Sequence, residues 1–195
     1  ARDISERKRF ETSLLWHMHF ERLLSDLSRT FISLPDDEID ANVERALARI
    51  GTFLGIDRIA VYGLSPERTR LTVSHAWTFP GVMPPPESIR PAELPYWASK
   101  VLGGEVAVVS STDELPQAAA AEKEFLGRWG AVSAASIPLI VGGEITGAIS
   151  FVTLRREVSW TDDLVRQLRV ISDIFSNAFK RKQGMAALRA AHAMA

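Results

Sequence analysis

Cysteine is absent from all 195 residues. That one absence excludes disulfides, thiolate metal sites, cysteine nucleophiles and thioether-attached chromophores together. It is compatible with a reducing cytoplasm, and a cytoplasmic location is the expectation. Histidine is scarce too, with four in the chain. His17 and His19 stand two apart on a helical stretch and so face different directions. His192 falls in an alanine-rich tail, and no set has metal-ligand spacing. Neither sign of charge dominates: 23 basic against 24 acidic residues leave a net charge of −1. No long-range field therefore draws the chain to nucleic acid or anionic lipid. Apolar runs are strand-sized, far short of the roughly 20 residues of a membrane span, and the charged first residues carry no signal-peptide core. The carboxylates are scattered, with no pair placed for acid–base work. Gly142-Gly143 lacks the lysine and following helix of a phosphate loop. An enzyme is not expected.

What is present begins with amphipathic helices. Residues 5–34 read as one helix, with Phe20, Leu24, Leu27 and Phe31 on one stripe and Phe10 and Leu14 starting a similar stripe upstream. Pro35-Asp36-Asp37 ends it. A second helix over 39–53 aligns Val43, Leu47, Ile50 and Leu54, and Gly55 stands where a left-handed cap is expected. Strands are expected over 56–64 and, from Leu71, Val73 and His75, over 71–76, joined by the turn Ser65-Pro66-Glu67-Arg68. From Trp77 to Pro95 the chain holds Pro80, Pro84, Pro85, Pro86, Pro91 and Pro95, a density that opposes helix and ladder alike. A short helix over 96–102, a strand over 105–110 and a helix over 113–127 with Pro116 in its first turn follow.

The most regular stretch comes last. Residues 131–141 and 144–154 are apolar and alternating, around Gly142-Gly143, which suits a two-residue hairpin turn. Thr161 is a credible N-cap, with Asp162 and Asp163 well placed for the helix dipole. Leu164, Leu168, Ile171, Phe175 and Ala178 then form one helical stripe. A tight hairpin demands antiparallel pairing. The expected class is α+β: a five- or six-stranded antiparallel sheet, terminal helices on one face, loops and short helices on the other.

As a set, these pieces resemble the GAF family, over roughly Phe20 to Lys182. Residues 43–58 resemble that family's second helix and first strand. Ile137-Pro138-Leu139 with Gly142-Gly143-Glu144-Ile145-Thr146-Gly147 resembles its central hairpin, and Trp160-Thr161-Asp162-Asp163-Leu164 the start of its last helix. Glu122-Lys123-Glu124-Phe125-Leu126 with Trp129-Gly130 resembles a subgroup from bacterial multidomain sensors. Asp3-Ile4-Ser5-Glu6-Arg7-Lys8-Arg9 resembles the motif that ends PAS domains. The organisation implied is a PAS-type linker helix over 1–19, a GAF domain over 20–183 and an exit linker over 184–195. The family implies a sensor that binds a small molecule or relays an upstream signal to an output domain outside this chain. Histidine kinases of two-component systems, cyclic-di-GMP enzymes and transcription regulators are its common outputs. The missing cysteine excludes covalent bilin attachment. The cyclic-nucleotide pattern of other members does not appear in order.

His75, Trp77, Phe79, Tyr96, Trp97, Trp129 and Ser136 gather around the irregular face and are the candidate ligand pocket; aromatic walls with few polar groups suit small organic ligands. Packing of the sheet is the competing role for the same aromatics. His75 as a haem ligand is a further reading. Ser133, Ser136 and Thr146 can contact a ligand or bond locally, and Arg155-Arg156 reads as a solvated face. Phe10, Leu14, Phe20, Leu24, Leu27, Leu168 and Phe175 lie on helices that outrun one small sheet, and a homodimer bundled through them is expected. The alternative function is a ligand-free dimerisation scaffold.

Overall fold

The computed structural model describes the backbone of residues 2–193 and the side chains of 6–193; Ala1, Met194 and Ala195, at the far ends of the two expected linkers, lie outside them. The helices are α1 (Arg2–Ser33), α2 (Ile39–Leu54), α3 (Pro95–Val101), α4 (Ala120–Arg128) and α5 (Asp162–Ala193). The strands are β1 (Arg58–Leu64), β2 (Leu71–Thr78), β3 (Ser88–Ile89), β4 (Ala107–Val109), β5 (Ser133–Val141) and β6 (Glu144–Thr153). They make one sheet in the order β3-β2-β1-β6-β5-β4, with every pair antiparallel. This is the expected α+β architecture.

Side-chain alternation divides the two layers. Ile59 and Val61 of β1, Ala135, Ile137 and Leu139 of β5, and Ile149 and Phe151 of β6 point to one face. There they meet Phe20, Leu24, Leu27 and Phe31 of α1, Val43, Leu47 and Ile50 of α2, and Leu168, Ile171 and Phe175 of α5. Phe31 and Phe175 pack edge to face with ring centroids 5.4 Å apart, and Trp16, Phe20 and Phe53 stack between α1 and α2. Gly55 closes α2 at φ 64°, as its position predicts, and its N–H returns to the Gly51 carbonyl. Thr161 caps α5 by accepting the Leu164 N–H at 3.2 Å. The other face carries α3, α4 and the proline-rich loop.

Two differences from the sequence reading bear on the site. The helix expected over 113–127 starts only at Ala120, after single turns at Thr112–Glu114 and Gln117–Ala119. Pro116 is the cause: it pushes Leu115 to an extended ψ of 132°, and no helix runs through that residue. The loop expected from Trp77 gives its first two residues to β2 and inserts β3 at the sheet edge.

The helix stripes expected to face a second copy are used within the chain. Phe20, Leu24, Leu27, Leu168 and Phe175 are all buried in its own core. Only the upstream part stays open, with Phe10 71% and Leu14 52% exposed beside Leu15 and Met18. Three contacts advance together along α1 and α5: His17 to Asp163, Phe31 to Phe175, and Leu34 just past α1 to Arg181. The two long helices are therefore parallel, and their free ends leave the domain at opposite poles. Each is 32 residues, about 48 Å long.

Candidate ligand site

The face away from the long helices holds a partly enclosed cavity of about 90 Å³. Its floor is the sheet: Arg58 and Tyr62 of β1, Leu71 of β2, Ala134 and Ser136 of β5, and Ala148, Ser150 and Val152 of β6. Its roof is Trp97 and Val101 of α3 with Glu122, Phe125, Leu126 and Trp129 in and just after α4. Residues 122, 125, 126 and 129 share one helical face by their three- and four-residue spacing, which is why α4 offers this side to the sheet.

The loop is held over the cavity by β1. Arg58, 4% exposed, donates from Nη1 to the carbonyls of Met83 at 3.1 Å and Pro84 at 3.3 Å. Tyr62 Oη donates to the Pro86 carbonyl at 3.3 Å. Prolines have no N–H, so this loop offers mostly acceptors, and β1 supplies the donors. Burial lowers the pKa of the Arg58 guanidinium and raises that of the Tyr62 phenol. On α4, Glu122 is 1% exposed. Its Oε1 accepts the N–H groups of Tyr96 at 2.9 Å and Trp97 at 3.2 Å, and its Oε2 has no partner among the described residues.

Trp97, Trp129 and Ser136 of the expected pocket thus line the cavity together. Tyr96 stands outside that lining, against a separate groove along β4. His75 and Trp77 lie on the opposite face of the sheet. The reason is a bulge: Val61 pairs with His75 but Tyr62 pairs with Val73, so Ser74 is an extra residue in β2. Leu71 and Val73 therefore share the cavity side with Tyr62, whereas His75 and Trp77 share the helix side with Val61 and Ile59. His75 stacks on Phe179 at 5.5 Å and bonds Asp40 through Nε2 at 3.1 Å, which places it among α2 and α5 rather than at a haem site in the cavity. Trp77 packs against Gly51 of α2. Phe79 is exposed beneath the Arg155 guanidinium, 4.2 Å from its ring centre. Ser133 and Thr146 are engaged within the chain, donating to the Ser110 carbonyl beyond β4 and the Leu139 carbonyl across the hairpin. Among the described residues, no group of three or more His, Asp or Glu is placed to hold a metal.

The family model for the GAF domain matches residues 38–179, most of the chain. The chain belongs to the GAF domain family. No curated protein matches this GAF domain. Among solved structures it is similar to the phycocyanobilin-bound GAF domain of a cyanobacterial phytochrome, at 17% identity and a TM-score of 0.67 over 84% of this chain and 94% of that one. The phycoerythrobilin-bound GAF domain of a cyanobacterial phytochrome gives 14%, 0.71, 86% and 97%. The blue-light absorbing form of the PixJ GAF domain of Thermosynechococcus elongatus gives 16%, 0.63, 80% and 92%. At these identities the likeness is one of fold. No helix of the described residues is long and apolar enough to cross a membrane.

Arg58, Tyr62 and Glu122 of the cavity wall were not among the pocket residues expected from the sequence. Each of them carried a signal. With Ile59 and Val61 facing the helices, alternation sends 58 and 62 to the other side, where a buried arginine needs acceptors. For Glu122 the signal was its place four residues before Leu126, on the apolar side of α4.

Proposed function

We propose that this GAF domain is a sensory module that binds a small molecule in the cavity between its sheet and α3–α4 and passes the event to a neighbouring output domain through α5. The observation that carries the reading is the partly enclosed, mostly apolar cavity with the buried side chains of Arg58 and Glu122 in its wall. That combination is how ligand sites pair affinity with orientation. A bilin, as in the structural relatives, does not suit it. There is no cysteine to attach one, the volume is well below the roughly 300–1,000 Å³ of pockets for larger ligands, and Arg58 is already engaged by loop carbonyls. The reading assigns no catalysis to this segment.

The relay has a structural basis at the far pole. Arg181 of α5 donates to the carbonyls of Phe31 at 2.8 Å, Ile32 at 3.1 Å and Leu34 at 2.7 Å, and its Nε reaches Asp36 at 3.0 Å. One guanidinium thus satisfies the open C-terminal end of α1. The next residue, Lys182, pairs with Asp40, which also holds His75 of β2. A shift of the sheet is transmitted to the point where α5 leaves the domain. Typical couplings between sites are about 1–3 kcal/mol, which this set of bonds can carry.

Binding is tested by a thermal-shift screen of metabolite-sized compounds on the chain and on Ala148→Leu, which fills the cavity floor. At a hundredfold excess over Kd a true ligand stabilises by about 2.7 kcal/mol, which raises Tm by about 5–10 °C. The shift is expected in the parent and absent in the variant. A compound that shifts both equally binds elsewhere, and no shift with any compound leaves the scaffold role. The exposed stripe of Phe10, Leu14, Leu15 and Met18 supports a homodimer, with a second copy covering the α1 stem. Light scattering at micromolar protein is expected to give the dimer mass for the parent and the monomer mass for the double change Phe10→Glu, Leu14→Glu.

A further inference from the structure

Glu122 is a buried carboxylate with one oxygen used and one idle. Oε1 holds the first turn of α3 through two backbone N–H groups. Oε2 is shielded from solvent and has no hydrogen-bond donor among the described residues. A buried acceptor left unmet is destabilising, and more so if charged. Arg58, the other charged group of the same cavity, gives its Nη1 to the carbonyls of Met83 and Pro84. The rest of the wall is mostly apolar, and the polar hydrogens it does carry, on the hydroxyls of Tyr62, Ser136 and Ser150 and the indoles of Trp97 and Trp129, do not reach Oε2.

We infer that the cavity takes a small, compact ligand carrying an N–H donor, an amine or a nitrogen heterocycle, whose N–H binds Glu122 Oε2. This rests on the proposed ligand role of the cavity and names its chemical class. Size follows from volume. An apolar cavity of about 150 Å³ holds benzene, so about 90 Å³ admits a five-membered ring or something smaller. Polarity follows from Glu122: a ligand with only acceptors would set lone pairs against a carboxylate oxygen and leave it unmet. Coupling follows from Oε1. A donor on Oε2 draws on the same carboxylate that anchors Tyr96 and Trp97, so occupancy is felt by α3.

Pyrrole and furan test this, since they match in ring size and differ in one N–H against one ether oxygen. Titrations followed by tryptophan fluorescence and by the backbone amide signals of Tyr96 and Trp97 are expected to show pyrrole at least tenfold tighter than furan. Glu122→Gln keeps an oxygen for α3 and turns an NH₂ toward the cavity, so the preference is expected to vanish or reverse. Equal binding of pyrrole and furan to the parent overturns the inference while the cavity stands as a ligand site. A pyrrole preference that survives in the glutamine variant also overturns it. Binding of neither ring, with Ala148→Leu no different from the parent, overturns the cavity reading itself. If the variant does not fold, the parent alone decides: a preference for pyrrole without movement of the Tyr96 and Trp97 amides places the donor elsewhere and rejects the assignment.

Discussion

Replacing Gly147 by alanine is expected to destabilise the domain by about 3 kcal/mol or more, a Tm loss of about 6–12 °C. Gly147 pairs with Gly63 of β1 and with Leu139 of β5 where the two central ladders run together. A Cβ there would stand 1.9 Å from the Tyr62 carbonyl oxygen and 3.0 Å from its carbonyl carbon. Both neighbours are backbone, so no rotamer change relieves the clash; β1 and β6 must separate. Tyr62 also walls the cavity and holds Pro86 of the loop. The damage therefore extends to ligand binding beyond what lost stability explains. Gly63→Ala is the control, because its Cβ would meet nothing within 4 Å, and it is expected to stay within about 0.5 kcal/mol of the parent. Urea unfolding of the three proteins checks this; equal midpoints for Gly147→Ala and the parent would show that the sheet opens there at little cost.

The fold was legible because its signals are local. Alternation around Gly142-Gly143 fixed the β5–β6 hairpin, and the stripe from Leu164 to Ala178 fixed α5. The site was half legible, for a physical reason. Trp97 and Trp129 announce themselves by size, whereas the side on which His75 and Trp77 fall depends on one extra residue, Ser74, that breaks a period of two. No property of Ser74 in isolation marks a bulge; it arises because β2 must pair with a β1 whose own register is set by β6. Most of the expected dimer stripe is buried within the chain, for a related reason. Helical spacing shows that Phe20, Leu24 and Leu27 are buried by something, and it does not distinguish a second copy from the chain's own α5. The chain ends that remain open, around Phe10 and Leu14 at one pole and beyond Lys182 at the other, are those the parallel course of α1 and α5 carries past the sheet.

Asp57 shows what long-range pairing hides, since Arg155-Arg156 reads from sequence as a solvated spot. Asp57, buried at the entry to β1, accepts the backbone N–H of Leu154 at 2.8 Å and of Arg155 at 3.2 Å on Oδ2, and the Arg155 guanidinium on Oδ1. Arg156 donates to the Leu54 and Gly55 carbonyls at the end of α2. Two adjacent arginines after β6 thus tie the sheet to the start of β1 and to α2. Burial alone would raise the Asp57 pKa, but the bonds from Arg155 and the two backbone N–H groups outweigh it and hold the carboxyl below its ordinary range. Asp57→Asn keeps the shape and sets an NH₂ against the guanidinium or the backbone donors. The expected cost at pH 7 is about 3 kcal/mol, near the lower end for breaking a buried pair because Arg155 is half exposed and water takes it over. A depressed pKa contributes stability that is complete above the unfolded value, about 3.9 for aspartate, and is lost as pH falls through the folded value. The asparagine has nothing to titrate. The gap between parent and variant is therefore widest at pH 7, narrows below about pH 4 and closes once Asp57 is protonated in the folded state. Asp40, held low first by its bond to Lys182, and Asp163, held low first by its bond to His17, titrate in both proteins and cancel in the difference. Denaturant unfolding of the pair at pH 7, 5 and 3 measures that gap. A gap that stays constant across the three would mean that the shape of the Asp57 side chain, and not its charge, joins β1 to the end of β6.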